Sequence, residues 1–274
     1  MPDFFRTLLD LAERGQGFIT ATVVNSTGST PGKMGHRMIV LPDRSIHFTI
    51  GGGPLEAMVI EDCLEQFRLR RNAVKTYRLL PEGKGAVGMV CGGVARVFIE
   101  VHPPRPALLV FGAGHVGTAI MNLGRGMGFQ MCLADDRKEF LDPARFSHPV
   151  RLVHCPDGYA GPLPETDPET FVAIVTRCHQ TDREILMRLA DRPLAYLGMI
   201  GSPRKVEVVI RELEARGLDR TALSHLRAPM GLPIGSRRPC EIALSVLAEM
   251  IAVRNGATIA LERPRGRRAS RSRA

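Results

Sequence analysis

The chain has 274 residues, of which 44% are hydrophobic and 24% charged, a composition typical of globular proteins with a substantial core. This composition excludes wholesale disorder, and the length favours one large domain or two of moderate size. Six cysteines without a CxxC pair indicate neither a disulfide framework nor a zinc ribbon. No apolar stretch is long enough to cross a bilayer or to act as a signal peptide, so we expect a cytoplasmic protein.

The formal net charge of +9 comes mainly from one segment. Residues 263–274 contain six arginines and no acidic residue, which leaves 31 basic against 28 acidic residues in the rest of the chain. With three tyrosines and no tryptophan, the sequence lacks the basic and aromatic pattern of nucleic-acid-binding surfaces. We therefore expect a disordered, arginine-rich tail over 259–274 rather than a nucleic-acid arm.

The first half of the chain mixes helical and strand patterns. Hydrophobic periodicity and turn residues predict a helix over 4–14, strands over 18–24, 38–41 and 46–50, a helix that begins near Pro54, and strands over 74–80 and 94–101. Three prolines within 102–106 favour an extended connector. The sequence thus predicts a mixed α/β domain over 1–101, followed by a proline-rich linker.

The second half has the pattern of a parallel sheet. The apolar run 107–111 is typical of a strand buried on both faces, and a glycine-rich turn, a helix to about Met127 and a strand over 129–134 follow it. Further strands over 171–175 and 194–199 each precede a helical pattern. This βαβ alternation predicts an α/β fold with a Rossmann-like, doubly wound parallel-sheet domain over 107–258.

A glycine motif lies between the first strand and the first helix of this second half. Gly112, Gly114 and Gly117 form GxGxxG, with His115 inside the motif, and Asp135 lies about 20 residues further on at the end of the next strand. This context is that of a dinucleotide fingerprint, in which backbone N–H groups at a helix N-terminus bind phosphate. An anionic ligand is favoured over a purely structural role, but the pattern does not single out NAD.

Two more strand ends carry candidate anion-binding residues. Gly201 and Ser202 come before a proline and two cations, which favours either an anion cradle or simply a well-capped helix. Arg177 and His179 follow the strand over 171–175, at the edge where open α/β sheets bind ligands. Cys178 lies between them, but adjacent side chains seldom face each other, so a structural or ligand-contact role is favoured over a catalytic Cys–His dyad.

The first half offers a second glycine site. Gly51, Gly52 and Gly53 come directly before a helix and would expose backbone N–H groups at its positive end. Glu56 in the first helical turn could contact a ligand or only favour the helix dipole. The segment Gly28–Lys33 resembles a phosphate-binding P-loop but lacks one spacer residue and the Mg²⁺-binding hydroxyl, so NTP hydrolysis is not expected.

One cysteine stands apart from the others. Cys91 lies among glycines in a predicted loop, where a thiol could ligate a soft metal or handle sulfur, or have no function. Cys63 and Cys132 fall on apolar faces and are expected in the core. The eight histidines show no HExxH motif, so a zinc site made of protein ligands is not expected.

Taken together, several blocks in order along the chain resemble the XdhC/CoxI family, the accessory proteins that mature molybdenum hydroxylases such as xanthine dehydrogenase. The blocks are GSTPGKMGHRMIV at 28–40, GGGPLE at 51–56, CGG at 91–93, LLVFGAGHVG at 108–117, DDR at 135–137, YLGMIGSPRK at 196–205, PMGLPIG at 229–235 and EIALSVLAEMIAVR at 241–254. The resemblance extends to about Gly256 and is more specific than any single glycine motif.

The resemblance implies a cofactor carrier rather than a turnover enzyme. Family members bind the molybdenum cofactor, a pyranopterin phosphate, assist its sulfuration with a cysteine desulfurase as sulfur donor, and deliver it to apo xanthine dehydrogenase. It also implies a homodimer, a cofactor site formed by both halves, and Cys91 as the contact to molybdenum or its sulfur. The expected cofactor-binding residues are Gly51, Gly52, Gly53, Glu56, Cys91, Gly112, Gly114, His115, Gly117, Asp135, Arg177, His179, Gly201 and Ser202.

Two alternatives stay open at this point. A nicotinamide-dependent oxidoreductase would use the glycine motif for NAD, with Asp135 on the ribose hydroxyls. A molybdopterin nucleotidyltransferase would need an NTP and Mg²⁺ signature, which the sequence does not show convincingly. NADH binding and hydride transfer would distinguish the oxidoreductase from a carrier.

Overall fold

The computed structural model describes residues 2–79 and 93–258. The chain divides into two compact units between Arg105 and Pro106. Cys91 and the arginine-rich tail predicted over 259–274 lie outside the described residues. Within the described part, none of the helices has the length and hydrophobicity that a membrane span requires.

The first unit is an antiparallel sheet of five strands with a helix on each face. Its strands lie in the order β3-β2-β1-β5-β4. Its elements are α1 (Pro2–Glu13), β1 (Phe18–Thr27), β2 (Arg37–Val40), β3 (Ile46–Phe48), α2 (Gly53–Leu69), β4 (Ala73–Leu79) and β5 (Gly93–His102). Because side chains alternate along a strand, Ile19 packs in the core beneath α2 while Phe18 packs with Phe4 and Leu11 of α1.

The second unit is a parallel sheet of six strands in the order β11-β10-β9-β6-β7-β8. Its elements are β6 (Ala107–Phe111), α3 (His115–Leu123), β7 (Gln130–Asp135), β8 (Arg151–His154), the single turn α4 (Pro156–Tyr159), β9 (Phe171–Ile174), α5 (His179–Leu189), β10 (Tyr196–Met199), α6 (Pro203–Ala215), β11 (Leu226–Arg227) and α7 (Pro239–Arg254). This is the Rossmann strand order, with its topological switch point between β6 and β9.

Two hydrophobic cores lie on opposite faces of the parallel sheet. Leu108 and Val110 of β6 contribute to the core that includes residues of α3 and α7, whereas Leu109 and Phe111 contribute to the core that includes residues of α5 and α6. Burial on both faces explains why β6, β9 and β10 have continuous apolar sequences. The predicted fold class, a mixed α/β half followed by a Rossmann-like half, is confirmed.

The structure corrects some of the predicted element boundaries. Helix α3 ends at Leu123 rather than near Met127, because a glycine-rich segment follows in which Gly126 and Gly128 have φ angles of 77° and 78°. Strands β8 and β11 were not predicted. β8 is a partly exposed edge strand and β11 has only two residues, so neither has the apolar alternation that marks a strand in sequence.

Candidate functional site

The glycine motif lies at the switch point and is packed tightly against the end of β9. Gly112 has a φ of 111°, and a Cβ atom on it would lie 2.6 Å from the Val175 carbonyl oxygen. A Cβ atom on Gly117 would lie 1.9 Å from the Gly112 carbonyl oxygen, so only glycine lets α3 approach the loop. Gly114 faces open space and His115 is exposed at the start of α3.

Asp135 stabilises this glycine loop from inside the protein. Its buried carboxylate accepts hydrogen bonds from the backbone N–H of Ala113 at 2.6 Å and from the backbone and Nε of Arg137 at 2.9 and 3.0 Å. Burial alone would raise the pKa of Asp135, but these hydrogen bonds outweigh it and hold the pKa below its ordinary value. Protein donors thus contact both oxygens of Asp135, which gives this residue a structural role, and its contact with a ligand stays a prediction.

The segment after β7 adds further protein contacts to the same loop. Arg145 Nη2 donates to the Ala113 carbonyl at 3.1 Å and to Thr118 Oγ1 at 2.7 Å. The Arg137 guanidinium lies 3.8 Å above the centre of the Phe140 ring. Protein contacts therefore tie the segment after β7 to the glycine loop. Arg145 was not among the predicted site residues, because no motif marks it.

An ion pair crosses the carboxyl end of β6. Arg177, after β9, donates from Nη2 to Asp136 Oδ2 at 2.9 Å, and Asp136 follows β7. Because β7 and β9 flank β6, this pair spans the switch point. Burial and the neighbouring Asp135 carboxylate raise the pKa of Asp136 even though Arg177 opposes the shift.

On the other side of the switch point, the starts of α5 and α6 enclose an open cleft of about 540 Å³. Most of its lining side chains are polar, and three of them are arginine or lysine. The lining consists of Arg177, Cys178, His179, Ser202, Arg204, Lys205 and Val208. The structure thus brings together Arg177, His179 and Ser202 from the sequence prediction, and Gly201 packs against the Lys205 side chain beside them.

A buried carboxylate fixes the two helix starts relative to each other. Asp182, in the first turn of α5, is fully buried and pairs with Lys205 Nζ at 2.6 Å, while Thr176 donates to its other oxygen at 2.5 Å. Burial raises the pKa of Asp182 although Lys205 and Thr176 act in the opposite direction. Ser202 caps α6 by accepting the Lys205 backbone N–H at 3.2 Å, as its sequence predicts.

Cys178 occupies the N-cap position of α5. Its sulfur lies 3.3 Å from Thr181 Oγ1. The Nε2 atom of the neighbouring His179 lies 4.0 Å from Glu212 Oε1. Burial opposes ionisation, but hydrogen bonds from the Thr181 hydroxyl and from backbone N–H groups at the helix start lower the pKa of Cys178.

The remaining described cysteines differ from Cys178. Cys63 and Cys132 are buried in the cores, as predicted, and burial raises their pKa values to about 12 and about 11. Cys155 is also buried, whereas Cys240 is exposed. Among residues 2–79 and 93–258 there is no cluster of three or more histidine, cysteine or acidic side chains that could hold a metal ion.

In the first unit, three glycine-containing segments meet. A Cβ atom on Gly51 would lie 2.4 Å from the Pro31 carbonyl carbon, and one on Gly32 would lie 2.2 Å from the Ile50 oxygen. A Cβ atom on Gly93 would lie 2.5 Å from the Ser29 oxygen. The close backbone approach explains the glycine content of the segments 28–32 and 51–53.

Glu56 takes the position that the sequence pattern assigned to an anionic ligand. Its Oε2 atom accepts the backbone N–H groups of Ile50 at 3.1 Å and Gly52 at 3.3 Å, and Gly51 donates to Thr49 Oγ1 at 3.0 Å. The protein's own carboxylate and hydroxyl therefore accept the N–H groups of Ile50, Gly51 and Gly52. Glu56 thus has a structural role in the loop, and the binding of an external anion by Gly51, Gly52 and Gly53 stays a prediction.

The sequence is similar to that of several known proteins. It is 40% identical over 256 residues to the uncharacterized protein YqeB of Escherichia coli K12, covering 93% of this chain and 47% of that protein. It is 29% identical over 159 residues to a protein of Bacillus subtilis described as a probable xanthine dehydrogenase subunit, covering 58% of this chain and 46% of that protein. The chain thus spans about half the length of these two relatives.

A third relative is matched over most of its length. The molybdenum cofactor insertion chaperone PaoD of E. coli is 24% identical over 294 residues, covering 93% of this chain and 90% of that protein. A crystal structure described as a xanthine dehydrogenase from Bacillus halodurans has the same fold, with a TM-score of 0.52, 20% identity, and coverage of 92% of this chain and 96% of that one.

Two family models match separate parts of the chain. Residues 108–250, about half of the chain, match the XdhC Rossmann domain, and residues 11–78 match the XdhC and CoxI family. The first region contains the GxGxxG loop and the cleft between α5 and α6, and the second contains the glycine segments 28–32 and 51–53. The protein belongs to the XdhC and CoxI family.

Proposed function

We propose that this protein is an accessory factor that binds the molybdenum cofactor and inserts it into xanthine dehydrogenase or a related molybdenum hydroxylase. Membership of the XdhC and CoxI family supports this role. So do the names of two relatives, one a molybdenum cofactor insertion chaperone and the other part of a probable xanthine dehydrogenase. We propose a carrier rather than an enzyme that turns over substrate.

The observation that carries the proposal is the cleft between α5 and α6. It lies at the carboxyl edge of the sheet, where doubly wound folds bind ligands, and its lining includes Arg177, Arg204 and Lys205. Basic side chains and a capped helix start suit the phosphate of an anionic pterin cofactor. The cofactor supplies the molybdenum chemistry, while this chain binds it without a covalent step and releases it.

The contacts of the glycine loop weigh against the oxidoreductase alternative. That alternative needs Asp135 free to accept the ribose hydroxyls, yet its carboxylate is buried and bonded to Ala113 and Arg137. The cations that line the cleft, Arg177, Arg204 and Lys205, instead follow β9 and β10. This position favours a ligand that binds on that side of the switch point. Gly114 and His115 stay candidates for contact at the open face of the loop.

We further propose that Cys91 contacts molybdenum or its sulfur ligand and that sulfuration uses a cysteine desulfurase as donor. Cys91 lies outside the described residues. Support comes from the CGG block at 91–93, which is one of the blocks that resemble the family. Cys91→Ala should then lose bound molybdenum and fail to activate the target. Retention of the cofactor and full activation by this variant would contradict the assignment.

The carrier proposal is tested on protein purified from a molybdenum-replete host. Bound molybdenum is measured by mass spectrometry and pterin by fluorescence after oxidation, and a separate sample is titrated with NADH. We expect molybdenum and pterin in equal amounts and no saturable NADH binding. Stoichiometric NADH without pterin would refute the carrier role and restore the oxidoreductase, and absence of both ligands would also contradict it.

A further inference from the structure

We infer that the cleft between α5 and α6 is a subsite for a phosphate monoester, and that Arg204 supplies the charge that binds it. This inference rests on the proposed function and deepens it, because it names the chemical group that enters the cleft and the residue that selects it. It depends on the balance of charges around the cleft.

Most of the positive charge in the cleft is already neutralised. Arg177 pairs with Asp136 at 2.9 Å, and Lys205 pairs with the buried Asp182 at 2.6 Å. Arg204 is exposed, lines the cleft, and has no carboxylate within ion-pair distance among the described residues. Three arginine and lysine cations against two carboxylates leave a surplus of one positive charge, which belongs to Arg204.

The two helix starts contribute differently to the cleft. At α5, the N-cap residue Cys178 makes no side-chain cap hydrogen bond, and its sulfur lies 3.3 Å from Thr181 Oγ1. Helix α6 has 13 residues, begins with Pro203 and is capped by Ser202, whose hydroxyl hydrogen can still be donated. The N-terminus of such a helix carries roughly half a positive charge. Its partial charge adds to that of Arg204 on the same side of the cleft.

The combined charge matches one class of phosphate. Arg204 and the α6 terminus together present a positive charge of about 1.5, and a phosphate monoester carries about −1.5 to −2 at neutral pH. A phosphodiester carries only about one negative charge per phosphate and loses one terminal oxygen to the second ester bond. A monoester has three terminal oxygens, so two of them can bond the planar guanidinium of Arg204 while the third faces the α6 terminus, whereas a diester has only two.

The volume of the cleft fits a ligand larger than free phosphate. At about 540 Å³ it lies within the range of roughly 300–1,000 Å³ for small-molecule sites. A monoester would place its phosphate at Ser202 and Arg204 and extend its organic part past Val208, the apolar lining residue. The cleft is therefore expected to accept both inorganic phosphate and an alkyl monoester.

The test is isothermal titration of the full-length protein at low salt in a phosphate-free buffer. The probes are inorganic phosphate, methyl phosphate as monoester and dimethyl phosphate as diester. We expect saturable binding of the first two, none of the diester, and affinity for methyl phosphate at least about 10-fold lower in Arg204→Ala. The matched control is Arg211→Ala, because Arg211 lies on the same helix, is exposed, pairs with Glu207 and does not line this cleft.

Three results would overturn the subsite. These are no phosphate binding by the folded wild-type protein, equal loss of affinity in both arginine variants, or binding of inorganic phosphate without the alkyl monoester. Failure of the subsite is distinct from failure of the proposed function. Protein that carries molybdenum and pterin but ignores methyl phosphate would keep the carrier role alone, whereas Arg204-dependent phosphate binding without any pterin would keep the subsite alone.

Discussion

Replacing Asp135 by asparagine separates a structural role from a ligand-binding role at the glycine loop. The substitution keeps the shape of the side chain but removes its charge and turns one acceptor oxygen into a donor. In the wild-type protein that carboxylate receives the Ala113 N–H at 2.6 Å and the Arg137 side chain at 3.0 and 3.2 Å. Asparagine therefore leaves a half-buried guanidinium without its main partner.

The expected cost follows from the burial of this pair. Breaking a buried ion pair by removing one partner costs about 3–5 kcal/mol. Because asparagine keeps one acceptor and Asp136 Oδ1 lies 3.6 Å from Arg137 Nε, we expect the lower end, ~3 kcal/mol. For a unit of this size that corresponds to a fall in Tm of about 6–12 °C, measurable by circular dichroism or calorimetry.

The pH dependence of stability gives a second measurement on the same variant. A carboxylate whose pKa is lowered in the folded state stabilises the protein above its unfolded pKa of about 3.9, and this stabilisation is lost as the pH falls through the folded value. The difference in the free energy of unfolding between wild type and Asp135→Asn should therefore be largest at neutral pH and decrease in acid.

Asp136→Asn is the matched control for this variant. Burial raises the pKa of Asp136, so its charged form contributes little to stability, and its partner Arg177 is largely exposed. We expect a change below about 1 kcal/mol. Equal stability of Asp135→Asn and wild type, or a larger loss in Asp136→Asn, would refute the structural role of Asp135.

Three further effects are expected. Glu56→Ala should cost about 1–3 kcal/mol in chemical denaturation, because it leaves loop N–H groups without their acceptor; unchanged stability would show that water replaces the carboxylate. Gly51→Ala should destabilise by more than about 1 kcal/mol because its φ is 121° and its Cβ would clash, whereas Gly35→Ala has a positive φ but open space and should cost less. With iodoacetamide at pH 7, mass spectrometry should find Cys178 alkylated faster than the exposed Cys240, since its pKa is lowered; equal rates would contradict that shift.

The strands of the parallel sheet were predictable because burial on both faces leaves a simple signal. The run ALLVF gives β6 over the same residues as the structure, and the apolar runs near β9 and β10 differ only at their ends. The glycines that follow β6 and the Ser–Pro start of α6 were also predictable, because a tight turn needs glycine and a helix start favours serine followed by proline. The edge strands β8 and β11 were missed because partial exposure removes the apolar pattern.

The sequence indicated which polar and glycine residues follow the strand ends, but not which groups they pair with. Gly51–Gly53 and Asp135 were expected to meet a ligand because N–H groups and a carboxylate near a helix start usually do. Which group forms hydrogen bonds with these residues depends on contacts that motifs do not show. Examples are the Glu56 carboxylate, which accepts the Ile50 N–H, and Arg145, which donates to the Ala113 carbonyl. Such contacts produce no recognisable residue spacing in the sequence. For the same reason, the ion pair between Lys205 and Asp182 could not be predicted from the sequence.

Transfer of molybdenum to an apo-enzyme tests the carrier role most directly. Cofactor-loaded protein is mixed with equimolar apo xanthine dehydrogenase, the two proteins are separated, and molybdenum in each is measured alongside hydroxylase activity. We expect molybdenum to leave this protein and activity to appear in the same proportion, with slower loading of the carrier when Arg204 is replaced by alanine. Molybdenum that stays bound while the apo-enzyme stays inactive would contradict the proposed function.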